Sequence, residues 1–458
     1  MASFSSVNEE GSNQTPQKHE LLKQWFIERG GKFSKVEIAK YPGAGYGLQA
    51  TEDLEENEPI VEVPFHLCIT TDGAKRSWLS EIISENKWLE DSQDELLALF
   101  LMAEKDNPES EYAPYLRCLP TSYDTPLFWT PEERAALAET STVGLLTNLM
   151  NQQIKKDWTE LHAPLAAAHS RLAGLTEEKY RWALATVYSR AFGFVRRGRY
   201  TRALAPVMCF VNHHPEAATE LDDVLEYDEE QGALRMRCGK AYAAGAECLA
   251  LYGRYSNAKL LYSYGFTLPR NPYRGVDFWL KVPASDPNRQ YKQSLLHSNP
   301  LTAAQNYDFR GTLLGDGVSI ALMATLRIIH LATQEEFNDA SKAFSGAVSR
   351  RNEAASLAGL LGVLRRKVQA FRASAEDDQK ELEALQLLSE AGSGGEDGPS
   401  SSGVSSTRAK DDELTHRKRL QMAISVRLDD KKTIQDTIGY IEQRLRELNE
   451  EDEQKQIL

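Results

Sequence analysis

Apolar positions recur at three- and four-residue steps in two stretches of the C-terminal part of the chain. Leu357, Leu360, Leu361, Leu364, Val368 and Phe371 fall on one helical face, and Ile424, Ile434, Ile438, Ile441, Leu445 and Leu448 form a second stripe. Both predict the packed core of a helix bundle rather than a ligand surface. From about Pro283 onward the pattern reads as almost entirely helical. Residues 391–406 break it with a Gly- and Ser-rich run containing Pro399, which predicts a disordered loop.

The first half is patterned differently. Residues 18–30 predict a short helix with Leu21, Leu22, Trp25 and Phe26 on one side. Residues 35–38 and 58–63 are strand-like, with a glycine-rich turn at 42–47 between them. From Lys75 to about Arg190 the period becomes helical, most clearly over 95–104 and 177–188. Short strands return between Leu204 and Leu251, including a hairpin of 224–227 with 234–238 across Glu229-Glu230-Gln231-Gly232. No repeat of fixed period occurs. The expected fold class is α+β: a disordered N-terminus over 1–17, a β-rich domain over 18–282 interrupted by a helical insertion at about 75–190, and an all-α domain over 283–458.

Length and composition agree with several cores, since 458 residues that are 41% apolar bury more than one domain's worth of surface. The formal charge of −14 opposes nucleic-acid binding, which would need a basic patch working against the overall field. Cysteines 68, 118, 209, 238 and 248 form no CxxC or CxC pair, so neither zinc nor a redox motif is expected and a reducing compartment fits. No apolar run reaches the roughly 20 residues of a membrane span. The start of the chain has no apolar core for a signal peptide, and Glu9 and Glu10 without arginine argue against a transit peptide.

Several chemistries lack their residues. The glycines of Gly43-Ala44-Gly45-Tyr46-Gly47 are followed by no helix that would complete a dinucleotide site, so they read as a tight turn through which backbone can approach a ligand. His213 and His214 have no HExxH or cysteine partner at ligand spacing, and neither a GxSxG elbow nor a Walker loop is present. Two segments remain. In one, residues 205–217, an apolar strand delivers Asn212-His213 into a turn. In the other, residues 251–258, Tyr252 precedes Gly253, and Tyr262, Ser263 and Tyr264 follow closely. Taken singly, each also reads as structural: an Asn-His turn, a tyrosine at a strand end.

In order and spacing, the Asn-His segment and the tyrosine-bearing segment resemble the two halves of a SET-domain site. The turn at Gly45 to Leu48 and the run Ser189-Arg190-Ala191-Phe192 sit where that fold has its other elements. The chain resembles the SET subfamily of the plant Rubisco large-subunit lysine methyltransferase and the animal actin-histidine methyltransferase. The likeness extends through 119–127, the helix carrying Tyr180 to Ala183, and the terminal helices, covering roughly residues 18–450.

That resemblance implies an S-adenosylmethionine-dependent protein N-methyltransferase, with a protein substrate docked on the C-terminal helices, no metal, and a monomeric state in the cytoplasm or nucleus, a plastid being left open. It implies Tyr252 as the catalytic tyrosine. Asn212 and His213 would hold the cofactor's adenine end through their backbones, Arg190 its carboxylate, and Ala44 and Tyr46 the rest of that pocket. Ser189, Phe192, Cys209 and Tyr264 would line the substrate channel.

Two departures matter. Cys209 stands where the family has an aspartate. The actin-histidine branch has an asparagine where this chain has Phe192 and a tryptophan where it has Met208, so lysine is favoured over histidine as target. A histidine methyltransferase is the second reading, and a non-catalytic SET-fold binding protein, motivated by Cys209, the third.

Overall fold

The computed structural model describes residues 15–138, 140, 142–217, 225–302, 309–314, 317–393 and 404–457. The chain packs as two compact units. One comprises residues up to Tyr123 together with Met150–Arg254; the other comprises Asp124–Leu149 and the chain from Tyr255 onward.

The strands of the first unit are, in chain order, β1 (Lys32–Phe33), β2 (Val36–Tyr41), β3 (Gly45–Ala50), β4 (Pro59–Pro64), β5 (Ile69–Thr70), β6 (Ala191–Arg196), β7 (Arg199–Leu204), β8 (Asn212–His213), β9 (Leu225–Asp228), β10 (Ala233–Arg237) and β11 (Glu247–Ala250). They form three small sheets ordered β1-β4-β10-β9, β2-β3-β11-β8 and β5-β7-β6. The glycine-rich turn is the link of a β2–β3 hairpin that pairs Tyr41 with Gly45, and Gly43 and Gly45 both take positive φ there. The expected β9–β10 hairpin forms, its turn tied by Asp228 Oδ1 accepting from the amides of Glu230 and Gln231. Val224, expected to begin it, lies outside the described residues.

Between β5 and β6 the chain is helical, as its pattern requires. The Gln93–Lys105 and Glu177–Arg190 helices begin at Ser92 and Thr176, whose hydroxyls accept from the Glu95 and Lys179 amides. They pack on each other, and Leu96, Leu97 and Phe100 of the first and Tyr180, Leu184 and Val187 of the second are all buried. The N-terminal helix spans Thr15–Glu28; the rest of the expected disordered N-terminus lies outside the described residues.

The second unit is built on the two apolar stripes. Leu357, Leu360, Leu361 and Leu364 of the Arg350–Ala370 helix meet Ile434, Ile438 and Ile441 of the Val404–Ile457 helix in one buried cluster. The unit is not all helix. β12 (Gly275–Leu280), β13 (Phe309–Leu314) and β14 (Gly317–Val318) form an antiparallel sheet whose Val276 and Leu313 join that cluster. The expectation of an all-α domain over 283–458 is corrected at this sheet: glycines 311, 315 and 317 break any helical window, and Leu313 and Leu314 pair instead with Val318 and Gly317. Of the predicted loop at 391–406, residues 394–403 lie outside the described residues; 391–393 end one helix and 404–406 begin the next.

Residues 124–149 belong to this unit for a visible reason. Glu133, in a capping box with Thr130, accepts from Arg419 at 2.8 Å, and Trp129, Leu137 and Val143 bury against Leu261, Met422 and Val426.

Asn257 organises a second polar knot. Its side chain bonds both backbone groups of Leu268, and its Nδ2 also donates to Asp429 Oδ2 at 2.8 Å. Burial lifts the Asp429 carboxyl to about 6 from 3.8. The folded chain therefore holds a proton between those values that the unfolded chain has released, so stability falls as pH rises through this window and stays lost above it. Asp429→Asn keeps an acceptor for Asn257 and removes the buried charge. It should stabilise the protein by about 1–2 kcal/mol at pH 7.5 and by little near pH 4. Denaturant melts at the two pH values check this; an equal effect at both would assign the change to packing.

Candidate active site

The sheet β2-β3-β11-β8 brings distant segments together. β11 pairs antiparallel with β3 through Glu247↔Gln49 and Cys248↔Leu48, and parallel with β8 through Leu249↔Asn212 and Ala250↔His213. The glycine turn and the Asn-His pair thus flank one strand, and that strand delivers Tyr252 two residues past its end. Tyr242 fixes the strand by accepting from the Leu249 amide and donating to the Leu249 carbonyl.

Tyr252 is tied to the Asn-His segment at both ends. Its amide donates to His213 Nδ1 at 3.0 Å and its hydroxyl donates to the Val211 carbonyl at 2.6 Å, with the two rings 5.1 Å apart. Burial pushes the phenol up to about 12, Arg190 opposing the shift, so the hydroxyl is neutral at physiological pH. Burial drives the His213 imidazole down to about 4. It is therefore neutral, and because Nδ1 accepts, its proton belongs on Nε2. His214 does turn work: its Nδ1 accepts from the Glu216 amide.

Asn212 Nδ2 donates to Glu247 Oε1 at 2.7 Å and reaches the Tyr46 carbonyl at 3.4 Å. Gly47 is what permits this approach. A Cβ there would stand 2.5 Å from Glu247 Oε1 and 2.9 Å from Asn212 Nδ2. The Tyr46 ring lies 4.4 Å from that of His19 on the N-terminal helix, and His19 also meets Phe210 edge-on. Ala44 is exposed, its amide turned back to the Tyr41 carbonyl at 3.3 Å.

A second group surrounds Arg190, the last residue of its helix. Arg190 Nη1 donates to the Cys209 carbonyl at 2.8 Å, while its Nε is buried without a partner. The guanidinium pairs with no carboxylate among the described residues. Burial works against its charge, but Tyr123, Cys209, Tyr252 and Tyr115 around it raise its pKa above the ordinary value. Tyr115 donates to the Cys209 thiol at 3.5 Å. Tyr123 donates to Thr186 Oγ1 at 2.9 Å, because the Thr186 hydroxyl proton is already given to the Trp182 carbonyl. Val207, buried and β-branched, sits at φ 64 just before this cluster, a conformation such residues rarely hold without compensating constraint.

Tyr252, Asn212, His213 and Tyr46 therefore share one hydrogen-bonded neighbourhood, and Arg190 with Cys209 another. Ser189 spends its hydroxyl on the Ala185 carbonyl of its own helix at 2.6 Å. Phe192 lies on β6, partly buried, opposite Ala203. Tyr264 belongs to the second unit, where it ends the Asn257–Tyr264 helix and stacks on Tyr255 with ring centroids 6.2 Å apart. Glu247, Tyr115 and Tyr123 were not among the residues expected from the sequence. Only the acidic residue opening an apolar strand at 247 carried any signal. Among the described residues no group of His, Cys, Asp or Glu could hold a metal ion, and no helix is long and apolar enough to cross a membrane.

Comparison with known proteins gives this geometry a context. The family described as Rubisco LSMT substrate-binding matches residues 283–434. Actin-histidine N-methyltransferase of Danio rerio is 28% identical over 324 residues, covering 69% of this chain and 53% of that protein; the Mus musculus protein is 27% identical with the same coverage. The chain thus spans about half the length of the curated relatives it matches. Among solved structures, the SET domain of LSMT bound to lysine and AdoHcy superposes with a TM-score of 0.75 at 22% identity, covering 95% of this chain and 93% of that one. Rubisco LSMT bound to AdoMet gives 0.72 at 22%, covering 94% and 93%. The chain has their fold.

Proposed function

Because the chain shares its fold with Rubisco LSMT and is related in sequence to actin-histidine N-methyltransferase, we propose that it is an S-adenosylmethionine-dependent protein methyltransferase acting on a lysine side-chain nitrogen. The observation that carries this reading is the joining of Tyr252 to Asn212-His213 through β11, with its hydroxyl neutral and directed by the Val211 carbonyl.

The residues fit the cofactor. Arg190 presents a buried, unpartnered Nε and has no carboxylate partner among the described residues, so it is matched to a ligand carboxylate. Asn212 and His213 would carry the adenine end and the backbone around Tyr46 the remainder. When bound, S-adenosylmethionine supplies a methyl group on a sulfonium, electrophilic enough to need no metal. The protein's part is positioning and exclusion of water. Phe192 and the aromatic residues near the site favour an uncharged amine over an ammonium, which leaves the nitrogen lone pair free. Tyr252, whose hydroxyl donates to the Val211 carbonyl, would orient that amine.

Lysine is favoured because Phe192 offers an imidazole no hydrogen-bond partner. Histidine is kept as a second reading because the curated relatives named above are actin-histidine N-methyltransferases. The test is to incubate the purified chain with methyl-labelled S-adenosylmethionine and cell extract, then map labelled residues by mass spectrometry. Label on lysine is the expected result. Label on histidine would transfer the chain to the second reading, and no label above a heat-inactivated control would leave a cofactor-binding protein without turnover.

A further inference from the structure

The hairpin formed by β6 and β7 carries Arg196-Arg197-Gly198-Arg199-Tyr200-Thr201-Arg202 at its tip, in a chain whose formal charge is −14. Two of the four arginines are used internally. Arg196 pairs with Asp72 at 3.2 Å and lies 4.0 Å from the centre of the Phe65 ring, and Arg202 pairs with Asp94. The other two, Arg197 and Arg199, are exposed and form no ion pair with any described residue. Beside them Val195 and Tyr200 are 64% and 61% exposed, large apolar surface that folding leaves uncovered.

The turn itself is built against residue preference. Arg196 pairs with Arg199, leaving Arg197 and Gly198 as a two-residue link with φ of 49° and 71°. Positive φ at both central positions is the hairpin geometry that favours Asn-Gly or Gly-Gly, and an arginine at the first costs about 1 kcal/mol. Glu229 offsets that strain by accepting from the Arg197 amide at 2.7 Å, which spends that carboxylate on backbone. The turn would form more easily with another residue, so the guanidinium points to a use outside the fold.

We propose that this tip is a docking surface for an acidic segment of the protein substrate, close in sequence to the methylated side chain. The inference rests on the methyltransferase reading, because Phe192, assigned there to the substrate channel, is the second residue of β6, whose last residue, Arg196, directly precedes Arg197. Five residue steps separate them, about 16 Å, so an extended substrate reaches the tip roughly five residues from its target. Charge complementarity selects the occupant: two unpaired arginines flanked by an exposed valine and tyrosine fit Asp or Glu interspersed with apolar residues.

The test compares the wild-type chain with the double variant Arg197→Asn and Arg199→Ser, whose asparagine suits the positive φ. Sites labelled in extract by the wild type should carry acidic residues about four to seven positions from the modified residue. A peptide spanning such a site should show kcat/KM lowered about tenfold in the variant through KM, with kcat unchanged. Mapped sites lacking acidic residues there, or equal KM, overturn the proposal. If the wild type labels nothing, the methyltransferase reading has failed by itself. Fluorescence anisotropy of a 12-residue Asp- and Glu-rich peptide against its Lys-substituted counterpart then decides: selective binding lost in the variant supports the surface, and equal binding by both chains sinks it.

Discussion

Tyr252→Phe should lower methyl-transfer kcat by about 100-fold or more while leaving the affinity for S-adenosylmethionine within about threefold. The ring stays, and with it the contact to His213, whose Nδ1 is bonded by the Tyr252 backbone amide and so survives the substitution. What goes is the oxygen that orients the amine. A structural cost accompanies it, because the buried Val211 carbonyl loses its donor, worth about 1–3 kcal/mol. The two effects separate by measurement: calorimetric titration of the cofactor reports the folded, binding-competent fraction, and kcat per competent site reports the chemistry. A variant with turnover within a few-fold of wild type would reduce Tyr252 to a latch between β11 and residue 211. Because burial holds the phenol up at about 12, it contributes no pH dependence below pH 10, so the wild-type rate should rise with pH only as the target amine loses its proton.

The parts of the molecule legible in the sequence are those that repeat. The Gln93–Lys105 helix declares itself because Leu96, Leu97, Leu99, Phe100 and Leu101 give it a wide apolar face, and the stripe from Ile434 to Ile441 meets the one from Leu357 to Leu364 as its period requires. The sheet of β12, β13 and β14 was not legible, since six residues over 309–314 are too few to show a period against the helices around them. The site is harder still. Asn212-His213 and Tyr252 stand some forty residues apart, and nothing in periodicity announces that β8 and β11 pair in parallel; the family resemblance joined them. It offered no word about Glu247, whose carboxylate holds Asn212 against Gly47, or about Tyr115, which arrives from the helical insertion to donate to Cys209. Single polar residues on otherwise apolar elements carry their meaning only in the partner they meet.

That partner is missing for Arg190, and the consequence is large. In an ordinary buried ion pair a carboxylate offsets the desolvation of the cation. Here the residue that could have been one is Cys209, which gives Arg190 only its carbonyl. The guanidinium stays charged, no carboxylate neutralises it, and Nε remains unsatisfied. A ligand carboxylate entering this pocket would meet a cation whose desolvation has already been met in folding, so the contact should be stronger than the same pair formed from solvent. Arg190→Met, close in length and apolar, should therefore weaken cofactor binding by about 2–4 kcal/mol, roughly 30- to 1000-fold in Kd. The ligand-free variant should be no less stable than wild type, because the substitution removes a buried charge that no carboxylate neutralises, which offsets the lost bonds to the Cys209 carbonyl and Tyr123. Calorimetric titration with S-adenosylhomocysteine and thermal melts with and without it provide both readings. A Kd within threefold of wild type would show that the cofactor's carboxylate lies elsewhere. A ligand-free melting temperature several degrees lower would instead make the bond to Cys209 the main role of Arg190.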